Sequence, residues 1–274
     1  MNRPTRLIVN ADDFGLHTSI NEGILRGHER GIVTSCSLIV NADLASSKPY
    51  EDAVGIATDT DTLDVGLHFA LVGLPGLPTG YRDFLTAYAG GRFPRSRVEQ
   101  LLHRQIDILE QDGINPSHID SHQHLHALPG IMRVVCDVAK RRGIRAIRLP
   151  LESRPIDAPA GRAAASRVLG LFAGASGRII DRVGLWRPDR FLGMAVSGHL
   201  TEDALLGLID RVLESQVTEI ICHPASLNST LRTQFDWGYE WEGELAAVTS
   251  ERVKERIRER GIQLTTFAGE VQRP

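Results

Sequence analysis

The feature that most restricts how this chain can fold is the alternation of short apolar, β-branched runs with longer stretches of helical periodicity. The runs are RLIVNA, CSLIVN, LDVGLHF, SHIDSH, IRAIRLP, FLGMAV, TEIICHP and IQLTTF, about eight strand candidates. Between them, residues 19–30, 96–112, 130–142, 202–215 and 250–260 space their apolar side chains for helices, and Gly31, Gly113, Gly143 and Gly261 stand where C-caps are expected. Strands separated by helices pair in parallel, because each crossover must return the chain to the same edge. This number of units suits a (β/α) barrel better than an open doubly wound sheet. A chain of 274 residues is long enough for one such domain spanning 1–274. The stretch 151–190 is long for one crossover and predicts a helical excursion.

The polar residues follow the runs in a consistent way. Asp12 and Asp13 end the first, Asn41 follows the second, and His68 closes the third. Asp120 and His122 come at the fourth, Arg148 at the fifth and His223 at the seventh. In a barrel the C-terminal strand ends form one rim, so residues far apart in sequence are expected to meet around one pocket.

Their types suggest a metal. Adjacent carboxylates, as in NADDFG, repel unless a cation or a donor offsets them, and one can ligate an ion while its neighbour serves as general base. An isolated Asp-Asp pair more often caps a helix, here the one starting near Ser19. HIDSHQHLH is stronger: His122, His124 and His126 alternate, so on an extended segment they share one side, about 7 Å apart, and one ion takes one or two of them. Asp13, His68 and His122 together make a one-carboxylate, two-histidine set that leaves positions open for water and substrate. His223, before Pro224, is placed to donate a proton to a leaving group or to bond loop carbonyls. Arg148 is suited to hold the base in orientation, or to pair with a structural acid.

Composition removes several classes of function. A formal charge of −3 with dispersed Lys and Arg offers no basic stripe for nucleic acid. No secretory signal opens the chain and no apolar stretch of about 18 residues could span a bilayer, so a cytoplasmic location is expected. Cys36, Cys136 and Cys222 have no CxxC spacing and read as small buried residues. Apolar spacing in SRVLGLFAGASGRIIDRVGLW fits packing, a homo-oligomer contact or an apolar wall beside the site. Phe235, Trp237, Tyr239 and Trp241 crowd together although only 5% of the chain is aromatic; they suit core anchoring first and sugar stacking second.

In combination, NADDFG, GLHF, HIDSHQHLH and CHPA, in this order and with the ending ELAAVTSERVKERIRERGIQLTTF, resemble the YdjC-like carbohydrate deacetylases over most of the chain. RLPLE, GMAVSGHLTED and TEIICHPA are similar to the hopanoid-biosynthesis-associated branch, whereas the DSHQH segment departs from it. The resemblance implies an α/β fold, a distorted (β/α) barrel of the glycoside hydrolase and deacetylase type. It also implies an enzyme that hydrolyses the acetamide C–N bond of an N-acetylated sugar or glycolipid, releasing acetate. It assigns Asp13, His68 and His122 to a divalent metal, Mg2+ by family description, and Asp12 to the base. Two imidazoles favour Zn2+, cobalt or manganese instead. Other readings of the same residues are a phosphoester hydrolase, against which no Lys or Arg cluster flanks the motifs, and a non-catalytic sugar-binding protein.

Overall fold

The computed structural model describes residues 3–152, 160–226 and 229–271, with backbone alone over 160–169. Residues 153–159 of the expected excursion and 227–228 at the start of the aromatic stretch lie outside the described residues. Each of the eight strand candidates forms a strand: β1 Arg6–Phe14, β2 Ser35–Ile39, β3 Asp64–Phe69, β4 His118–Ser121, β5 Ala146–Ile147, β6 Arg190–Leu192, β7 Val217–Cys222 and β8 Gln263–Leu264. The helices are α1 Thr18–Arg30, α2 Lys48–Asp59, α3 Tyr81–Ala89, α4 Arg95–Gln111, α5 Pro129–Arg142, α6 Ala160–Val183, α7 Glu202–Ile209, α8 Ser229–Gln234, α9 Trp241–Thr249, α10 Glu251–Glu259 and α11 Phe267–Val271.

Seven strands form a curled, all-parallel sheet in the order β5-β4-β3-β2-β1-β7-β6. The helices cover its outer side, and β1, with every residue buried, runs through its middle. The eighth strand does not close the curl. β8 is exposed at both residues and pairs with Arg6 and Leu7 at the start of β1, below the point where β1 meets β2. Between the sheet's ends, a single bridge links Ala146 to Trp186. The architecture is thus a half-barrel with its C-terminal strand ends gathered on one rim.

One expectation about the helices needs correction, and one is met in an unexpected geometry. The helix expected over 202–215 stops at Ile209, because the Arg260 guanidinium donates to the Ile209 and Val212 carbonyls and takes the acceptors a continuing helix would use. Gly31 ends α1 without a left-handed turn (φ −127°); what it provides is close approach, since a Cβ there would lie 2.4 Å from the Val248 carbonyl oxygen. Gly143 does adopt the left-handed cap, at φ 75°. The excursion expected around 151–190 contains α6, which packs on α5. It buries Ala173, Ser176 and Ile180 and leaves Leu171 and Phe172 exposed. All three cysteines are free and buried, as expected.

Candidate active site

The site begins with an irregularity in β1. Its register against β2 shifts between Ala11 and Phe14, and Asp13 takes a left-handed conformation at φ 67°. In a regular strand neighbouring side chains point to opposite faces. The left-handed residue cancels that alternation, so Asp12 and Asp13 both line the pocket at the rim. Aspartate tolerates this backbone region better than most residues. Neither acid caps α1: that role falls to His17, whose Nδ1 accepts from the Ser19 amide at 3.1 Å.

The two acids are held in opposite ways. Both Asp12 oxygens are taken by Arg148, whose Nη1 and Nη2 donate at 2.8 and 2.7 Å, and Asn10 Nδ2 adds a third bond to Oδ1 at 2.9 Å. Burial would raise the Asp12 pKa, but the charge and hydrogen bonds of Arg148, together with His68, bring the carboxyl below its ordinary value. Asp13 Oδ1, by contrast, is buried without a hydrogen-bond partner, although His122 Nδ1 lies 2.9 Å and His68 Nε2 3.4 Å from it. Ligand atoms of Asp13, His68 and His122 all fall within 4.8 Å of one another.

Beneath this floor lies a second polar layer. His68 is fixed through its other nitrogen, Nδ1, which bonds Asp120 Oδ1 at 2.8 Å. Asp120 Oδ2 accepts from Ser37 Oγ at 2.9 Å and contacts Arg148. Arg148 Nε donates to Glu219 Oε1 at 2.6 Å. Three buried carboxylates (Asp12, Asp120 and Glu219) therefore surround one guanidinium, and a fourth, Asp13, is buried beside Asp12. The interior is short of positive charge. Burial, only partly offset by Arg148, pushes Glu219 up to about 7. Burial alone would lower His68, but Asp120 leads the acids that push it up to about 10. An oxygen with no donor, two converging imidazoles and surplus negative charge together fit a divalent cation. The carboxylate behind His68 is the support that metal-bound histidines ordinarily have.

The expected histidine row is corrected. Residues His122–Ala127 form a tight 3-10 segment in which Gln123 and His124 have positive φ, so the three imidazoles diverge. His126 turns inward, bonding Ser121 Oγ at 2.6 Å and the Arg148 carbonyl oxygen at 3.1 Å. His124 stands edge-on to Phe191. Only His122 of the three faces Asp13 closely. Of the aromatic stretch, Tyr239 lines the pocket against His223 (5.1 Å between centroids), Trp237 stands 5.5 Å from His122, and Trp241 is buried in the core. His223 sits on a loop pressed onto α1: a Cβ at Gly23 would lie 2.3 Å from Ala225 Cα.

A family model described as YdjC-like protein matches residues 6–259. The chain belongs to the YdjC-like family. This YdjC-like chain is 33% identical to a carbohydrate deacetylase of Geobacillus stearothermophilus, in an alignment covering 96% of this chain and 97% of that one. It is 31% identical to a chitooligosaccharide deacetylase of Klebsiella pneumoniae, covering 95% and 97%. Among solved structures it is similar to a putative cellobiose-phosphate cleavage protein of Enterococcus faecalis, with a TM-score of 0.76, 26% identity and coverage of 97% and 98%.

The pocket thus brings together Asp12, Asp13, His68, His122 and His223, with Arg148 directly behind Asp12. Sequence reading missed Glu219 and Glu244. Glu219 did carry a signal, as the one acid inside the apolar strand VTEIIC. Glu244 opens the ELAAVTS segment on which the resemblance partly rests, but an acid near a helix start is ordinary and its role does not follow from that match.

Proposed function

We propose that this protein is a metal-dependent carbohydrate N-deacetylase, a single-domain cytoplasmic enzyme that hydrolyses the acetamide of an N-acetylated sugar. The observation that carries the reading is the unequal treatment of two adjacent acids. Asp13 presents an unbonded oxygen between two imidazoles, while Asp12 is locked by Arg148 at the pocket wall. The relatives' names, carbohydrate and chitooligosaccharide deacetylases, supply the substrate class.

On this reading Asp13, His68 and His122 hold one divalent ion. When bound, it supplies Lewis-acid stabilisation of the charge that develops on the acetyl oxygen. Asp12, ionised at neutral pH and oriented by Arg148, accepts the proton of the attacking water. His223 donates a proton to the departing sugar nitrogen, and acetate and an amino sugar leave. Asp120 keeps the His68 ring turned toward Asp13. Two imidazoles and one carboxylate suit zinc, cobalt or manganese better than magnesium, the ion the resemblance implies.

The test uses metal-stripped protein with N-acetylglucosamine oligomers and, separately, an N-acetylglucosaminyl lipid, adding back Zn2+ or Mg2+ and measuring acetate. Release restored by metal supports the reading, and the better substrate and ion complete it. Asp12→Asn should retain metal and lose roughly 10²–10⁴-fold in turnover. Full activity in that variant would remove the base assignment. Tight metal binding without acetate from either substrate would remove the deacetylase reading.

A further inference from the structure

A carboxylate taken fully out of water must be matched by donors, and where those donors lie shows what it holds in place. Glu244 is such a group. It sits in the first turn of α9 at 0% exposure, yet it turns inward. Its Oε1 accepts from the Leu200 amide at 3.2 Å, and its Oε2 accepts from the His223 amide. The same Oε2 lies 3.7 Å from His223 Nδ1, a buried nitrogen with no hydrogen bond of its own. One acid therefore ties the loop after β6, which lines the pocket at Ser197, to the loop after β7, which carries His223.

The imidazole has little freedom left. Tyr239 stands edge-on to it, and the loop behind it is fixed where the Ser226 amide donates to the Ser19 carbonyl oxygen at 2.8 Å. With Nδ1 turned to the carboxylate, Nε2 is the nitrogen left for the pocket.

We infer that Glu244 is a positioning residue that acts through His223, holding its Nδ1 side so that Nε2 delivers a proton to the leaving nitrogen. This inference rests on the deacetylase reading. In that step water oxygen bonds to the acetyl carbon, and its proton goes to Asp12. The C–N bond breaks with its electron pair remaining on nitrogen, and the His223 proton completes the amine. Burial alone would lower the His223 pKa, but the Glu244 carboxylate leads the groups that raise it, favouring the proton-bearing form.

A sugar amine leaves poorly unless it is protonated, whereas 4-nitrophenolate leaves without help. Comparing an N-acetylglucosamine oligomer with 4-nitrophenyl acetate on the metal-loaded enzyme therefore isolates the proton-delivery step. Glu244→Gln should lose about 10²-fold in kcat on the amide while staying within about 3-fold on the ester. In a His223→Ala background it should cause no further loss on the amide, because groups acting as a unit are not additive. Glu244→Asp, which keeps the charge, should recover part of the amide activity. Bound metal and melting temperature, measured on each variant, identify any general damage to the fold.

Equal losses on amide and ester, or an additional loss in the His223→Ala background, would overturn the role of Glu244 and leave the deacetylase reading standing. Wild-type enzyme that cleaves the ester but releases no acetate from the sugar would overturn both.

Discussion

Two polar layers lie one above the other inside the curl of the sheet, and they are stabilised differently. In the lower one Arg148 gathers Asp12, Asp120 and Glu219, and Asn10 and Ser37 fill gaps between them. Most of its bonding capacity is met by protein. In the upper one Asp13 faces two imidazoles with an oxygen that receives no hydrogen bond. The lower layer is held together by Arg148, although Glu219 Oε2 and Asn10 Oδ1 stay unbonded within it, while the upper one opens to the pocket. The difference teaches that burial of charge can serve two uses, a scaffold below and, on the proposed reading, a binding site above.

The most severe separation of the two should come from Asp13→Asn. Asparagine accepts the left-handed backbone at φ 67° and keeps the side chain's shape. Asp13 Oδ1 makes no well-aligned hydrogen bond but lies 2.9 Å from His122 Nδ1 and 3.4 Å from His68 Nε2, so removing its charge should cost the metal-free protein about 1–3 kcal/mol. Activity should vanish, together with any rise in melting temperature that metal gives the wild type. Large destabilisation of the metal-free variant would mean that the upper layer is structural too.

Arg148→Met probes the layer below. It removes the one cation shared by three buried carboxylates, and breaking a buried ion pair from one side costs roughly 3–5 kcal/mol. Urea unfolding of the metal-free protein should show this loss, or the variant should fail to accumulate. A change below about 1 kcal/mol would contradict the scaffold assignment.

Asp120 joins the layers, bonding His68 above and Arg148 and Ser37 below. Replacing it with Asn should weaken metal binding by about 10–100-fold, the usual effect of losing the group behind a liganding histidine. Competition with a chelator of known affinity measures this. Unchanged affinity would confine Asp120 to the lower layer.

The two layers were not equally legible in the sequence. Asp12, Asp13, His68, His122, Arg148 and His223 all lie at or just past the C-terminal ends of strands, and a parallel sheet carries such residues to one rim whatever lies between. The sheet order and β8's place beside β1 were not readable, because a two-residue strand pairs wherever the chain allows. Nor was the fate of His124 and His126. Alternation gives one shared side only if the backbone stays extended, and here Gln123 and His124 enter the left-handed region. Glu244 stands in the quoted ELAAVTS segment, but its role stayed hidden because its partners are backbone amides, which every sequence supplies.

The smallest predicted effect separates two histidines four residues apart. His122 faces the pocket; His118, at the start of β4, lies under the floor, stacked on Phe267 at 3.7 Å, with its nitrogens against Ser117 and Ser37. Burial pushes its pKa down to about 4, more than the surrounding acids, Asp64 first, can raise it. An unfolded histidine protonates near 6.5, so between about 6.5 and 4 the unfolded chain binds a proton that the folded one refuses. Stability should therefore fall as the pH drops through that window. His118→Gln should be less stable at neutral pH, yet its stability should fall less steeply with acid, by up to about 1.4 kcal/mol per pH unit. Urea unfolding at a series of pH values reads the slope. An identical slope in both proteins would show that His118 already carries its proton when folded, and would place it among the charged groups of the layer above.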